Sequence, residues 1–117
     1  MTHKISFEQW ESYFLCENSF GVVDVHQHHL SRVAEILSER FPGILFFWDR
    51  PDRNQICSIN AVRKDKRAVS RRQKVSIVAA GEAIASNVAN KYPIKRGFLF
   101  WLLRRPVSAG WHYTEKP

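Results

Sequence analysis

The chain has 117 residues, enough for one domain around one core, and its 44% apolar and 25% charged residues are those of a globular protein rather than a disordered one. No stretch approaches the roughly 18 consecutive apolar residues of a membrane-spanning helix, and the N-terminus lacks the apolar run of an export signal, so a cytoplasmic protein is expected. The net charge of +7 is unevenly placed: residues 1–62 carry five Lys/Arg against eight acids, and residues 63–117 carry thirteen against three.

In chain order, Ser6 and Gln9 have the spacing of a capping box. Phe7, Trp10 and Phe14 follow on one helical face, which predicts a first helix ending by Asn18-Ser19, with Gly21 in a turn. Asp24 and Gln27 repeat the capping spacing. Leu30, Val33, Ala34, Leu37 and Phe41 then recur at helical intervals until Pro42-Gly43. The two helices are expected to form an αα-hairpin.

Ile44 to Trp48 is a continuous apolar run, too short for a helix. Asp49 to Asn54 is turn chemistry, and Cys57, Ile59 and Ala61 alternate with Ser58 and Asn60, which predicts a β-hairpin. The longest helix is expected between Asp65 and Tyr92, with Ile77, Gly81, Ile84 and Val88 on its core face and Pro93 at its end. Its start is open between a cap at Asp65 and one at Ser70, the latter completed by Gln73. Phe98 to Leu103 reads as a buried strand, and Trp111 and Tyr113 around His112 as a short last one. The expected fold is α+β, in the order α-α-β-β-α-β, with a small antiparallel sheet of three or four strands covered on one face by helices. The pattern leaves the strand order open, and it sets no oligomeric state.

The strongest local signal is basic. Seven of the twelve residues from 63 to 74 are cationic: Arg63, Lys64, Lys66, Arg67, Arg71, Arg72 and Lys74. On a helix, Arg67, Arg71 and Lys74 share one flank. Cations in a first turn oppose the helix dipole, and a bound anion is the usual compensation. Lys95-Arg96 and Arg104-Arg105 extend the basic set on either side of the Phe98–Leu103 strand. Trp48, Trp101, Trp111 and Tyr113 are candidates for stacking on unpaired bases, though core packing explains most of them.

His26, His28 and His29 fall at the start of the second expected helix. They lack the spacing of a zinc site, and no metal is expected. Cys16 and Cys57 belong to no C-x-x-C pair and read as reduced thiols. No phosphate loop, dinucleotide fingerprint or nucleophile elbow occurs, and no cofactor is expected. A ribonuclease reading built on His112 and Tyr113 finds no spacing that fixes an acid and a base together. The expected function is therefore a non-catalytic nucleic-acid-binding accessory or regulatory protein, its partner DNA or RNA. The rival is an adaptor or inhibitor that docks on an acidic protein surface.

Overall fold

A computed structural model describes residues 7–93 and 110–112. Helix α1 spans Phe7–Phe14, strand β1 Phe20–His26, helix α2 Leu30–Arg40, strand β2 Ile44–Trp48, strand β3 Ile56–Arg63, helix α3 Arg71–Lys91 and strand β4 Gly110–His112. The fold is α+β, as the residue pattern implies. The run Phe98–Leu103 lies outside the described residues.

The N-terminal third differs from expectation. Helices α1 and α2 are not a hairpin, because β1 runs between them. Its sequence, Phe20-Gly21-Val22-Val23-Asp24-Val25-His26, hides its strand character behind a bulge. The register against β3 shifts between Gly21 and Val23, so the two-residue alternation of a strand is broken there. Asp24 does not cap α2. It lies on β1, and its Oδ1 accepts a bond from Ser58 Oγ at 2.7 Å across the sheet. The N-cap of α2 is His29 instead.

All strand pairs are antiparallel, and the order across the sheet is β1-β3-β2-β4. β2 is central and buried at all five positions. This explains its unbroken apolar sequence, since each pleat direction meets a packed layer. Ile44, Phe46 and Trp48 join Cys57, Ile59 and Ala61 of β3 in the main core, with Val22 and Val25 of β1, Leu30, Val33 and Leu37 of α2, and Ile77, Ile84 and Val88 of α3.

Leu45, Phe47 and Val62 face the other way and pack with Trp10 of α1. Helices thus cover both faces of the sheet rather than one. Trp10 also donates its indole N–H to the Trp48 carbonyl at 3.0 Å, so the ring that fills this second core satisfies a backbone acceptor too.

The main core seats α3 closely on β1. A Cβ at Gly81 would lie 2.6 Å from the Val22 Cγ1. The glycine serves close approach of helix to strand, on the core face that the sequence assigns to it.

Candidate functional site

The basic segment begins where β3 leaves the sheet. Arg63, paired with Ile44 in the ladder, turns its guanidinium back on the Asp65 carboxylate through two bonds of 2.9 and 3.1 Å. Asp65 Oδ1 also accepts the Arg67 N–H at 3.0 Å. That backbone bond first, and then the Arg63 guanidinium, hold the Asp65 carboxyl below its usual range, against an opposing effect of desolvation. Asp65 therefore organises the turn. It does not cap the helix.

Lys66 takes up the left-handed backbone conformation, at φ 62°. Its carbonyl accepts from Asn18 Nδ2 at 3.0 Å and from Cys16 Sγ at 3.8 Å. Its ammonium bonds Ser12 Oγ and stands 5.2 Å from the centre of the Tyr13 ring. Lys66 thus ties the segment to α1 and the residues just after it. Three residues on, Val69 is buried in the main core and anchors the chain before α3.

Ser70 is the N-cap, with an extended backbone, and its Oγ accepts the Gln73 N–H at 3.2 Å. Of the two starts that the sequence leaves open, this is the one adopted. Helix α3 begins at Arg71, so Arg67 is not on a helical flank with Arg71 and Lys74. The first turn of α3 holds no acid. Arg71 and Arg72 are exposed there and have no hydrogen-bond or ion-pair partner among the described residues. Lys74, one residue beyond the cap's acceptor bond, stands 5.3 Å from the centre of the Phe20 ring.

The seven cations therefore divide by their surroundings. Arg63 is paired with Asp65, Lys66 is directed to α1, and Lys74 leans on Phe20. Arg67, Arg71 and Arg72 are exposed around the turn and the helix start, and Lys64, also exposed, donates its backbone N–H to the Gly43 carbonyl at 3.2 Å. Lys95, Arg96, Arg104 and Arg105 lie outside the described residues, as do Trp101 and Tyr113. Trp48 is a buried core residue, 6% exposed, and not a stacking platform. Asn18 and Tyr13 carry no signal of this role in the sequence. Asn18 meets Lys66 across 48 positions of chain, and no local spacing announces such a contact.

The histidines are not on α2. His26 ends β1, His28 lies in the following turn, and His29 caps α2 with its ring buried. The ring centres of His26 and His28 are 4.8 Å apart, and those of His26 and His29 are 6.2 Å apart. His29 Nε2 lies 2.7 Å from the Tyr92 carbonyl, just past the end of α3. Among the described residues no group of three His, Cys, Asp or Glu is placed to hold a metal ion. Cys57 is buried in the main core, with residues of α2 and α3. Burial, and then the charge of Asp52, push its thiol up to about 11, which makes it a poor nucleophile.

Farther along β1 and α3, at Asp24 and Glu82, the charged residues are acidic. Gly21, Asp24, Ser58, Asn60 and Glu82 border a shallow hollow beside β1. No described helix is long and apolar enough to cross a membrane. Comparison with protein-family models, with curated proteins and with solved structures finds no match.

Proposed function

We propose that this chain binds nucleic acid without catalysis, through the exposed cations of the β3–α3 turn and the first turn of α3. The observation that supports the reading is the exposed Arg71–Arg72 pair at a helix start that holds no acid. Cations there oppose the helix dipole, so the arrangement forgoes stability that an acidic first turn would supply. A phosphate at that end would meet the positive helix end and two guanidinium groups, with Arg67 and Lys64 preceding them in sequence. The contacts to Asn18 and Tyr13 and the buried Val69 tie the segment to the rest of the fold, which would lower the ordering cost of binding. Lys95, Arg96, Arg104 and Arg105 extend this proposed surface in sequence.

Contacts of this kind neutralise phosphates and carry no base identity. The double variant Arg71→Glu, Arg72→Glu is expected to weaken binding to duplex DNA, single-stranded DNA and RNA alike. The slope of log affinity against log salt should fall by roughly one to two, at about 0.9 for each phosphate no longer neutralised on duplex DNA. Fluorescence anisotropy across several salt concentrations measures both. Unchanged affinity and slope would remove this site. No binding by the native chain at about 50 mM salt would remove nucleic acid as the partner and leave the acidic protein surface.

A further inference from the structure

We propose that the turn joining β1 to α2 is an acid-sensitive hinge, held closed by an unprotonated His26 ring nitrogen and opened when that nitrogen takes a proton. The turn runs from His26 to His29, and the His29 N–H donates to the His26 carbonyl at 2.8 Å. A second bond closes it from the side chain. The His28 N–H donates to His26 Nδ1 at 3.2 Å. An imidazole nitrogen accepts a hydrogen bond only while it carries no proton, so this bond sets the neutral ring of His26 with its hydrogen on Nε2. A proton on Nδ1 would face the His28 N–H donor directly. The bond would become a repulsive contact between two donors.

The surroundings act in the same direction. Burial first, then the neighbouring rings of His28 and His29, hold His26 below the usual imidazole range. Charged residues on the described elements around the turn include Asp24 on β1, Asp52 in the β2–β3 loop, Arg32 on α2 and Lys91 on α3. Asp24 is bonded to Ser58. Asp52 Oδ1 accepts the backbone N–H groups of Asn54 and Ile56. Arg32 stands 3.9 Å over the Tyr92 ring and Lys91 5.6 Å from it. Both carboxylates accept hydrogen bonds from other residues.

Opening the turn would reach beyond it. Gln27 N–H bonds the Gln55 carbonyl at 2.8 Å, and His29 joins the start of α2 to the Tyr92 carbonyl after α3. The turn therefore lies between the β2–β3 loop and the α2–α3 junction. The sign of the linkage follows from His26. Its folded form resists the proton that the unfolded chain takes up near pH 6.5, about the free imidazole value, so stability is full above that pH and falls as the pH drops below it.

The test pairs histidine 15N NMR on the native chain with the variant His26→Asn. The Asn oxygen stands near the place of Nδ1, accepts the same N–H and takes no proton in this range. The expected results are an Nε2–H tautomer for His26 at neutral pH and a titration below that of a free histidine. Between about pH 7.5 and 5.5 the native melting temperature should fall by several degrees, and that of His26→Asn by less than half as much. An Nδ1–H tautomer in the native chain would overturn the proposal even if the variant failed to fold. An equal acid-induced fall in a folded His26→Asn would do the same.

Discussion

Gly81 is a position on α3 where the space for a side chain is already taken. A Cβ there would come within 2.6 Å of the Val22 Cγ1 and 3.5 Å of the Val23 Cγ1. Val22 is β-branched, 5% exposed and held within the bulge of β1, so its methyl has little room to turn away. Gly81→Ala sets two effects against each other. Alanine gains about 1 kcal/mol of helix propensity. Overpacking a rigid contact costs about 1–3 kcal/mol. The expected net is a loss on the order of 1 kcal/mol, read as a lower urea midpoint with an unchanged slope. A midpoint above that of the native chain would show that Val22 swings aside and that helix and strand meet less tightly than 2.6 Å implies.

Among the elements, α3 is legible in the sequence and β1 is not, and the difference has a physical basis. The face of Ile77, Gly81, Ile84 and Val88 and the stop at Pro93 agree on one helix whose start the spacing leaves open between Asp65 and Ser70, and the helix found runs Arg71–Lys91 with that face and the Ser70 cap. Its cap should be worth about 1 kcal/mol, so Ser70→Ala is expected to lower stability by that amount through loss of the bond to the Gln73 N–H. Chemical denaturation checks this, and a change within error would mean that water replaces the hydroxyl fully. The Asp24 and Gln27 pair has the same spacing but a different fate. Asp24 finds its partner Ser58 on β3, 34 residues away, and Gln27 pairs with Gln55. Long-range sheet pairing overrides the local capping signal there, and the bulge at Gly21–Val23 erases the alternation that would have marked the strand. The hairpin of β2 and β3 is legible because Cys57, Ile59 and Ala61 alternate and Ile44–Trp48 is uniformly apolar. Of the basic cluster, the sequence locates the charges. It does not show that Arg63 and Lys66 are engaged by Asp65, Ser12 and Tyr13, since those contacts depend on a turn with φ 62° at Lys66.

At the scale of the whole molecule, the sheet order leaves β1 with β3 on one side and, among the described residues, no strand on the other. A seven-residue edge containing three valines is a template for a second chain. Three features at this edge oppose that. The bulge kinks the edge and spoils the register that a straight incoming strand needs. Asp24 sets a carboxylate on the strand, and Glu82 of α3 sets another beside it at the same hollow. Two such edges brought together would juxtapose like charges across a forming ladder. Asp24→Val should remove part of this protection and leave an unbroken run of valines from Val22 to Val25 at the edge. The variant is expected to scatter light and gain thioflavin fluorescence at concentrations where the native chain stays clear, with added salt narrowing the difference. If it remains as clear as the native chain, the bulge alone is sufficient. If it does not, the strand that the sequence conceals most completely is the one whose bulge and carboxylate together guard the protein against fibrous self-association.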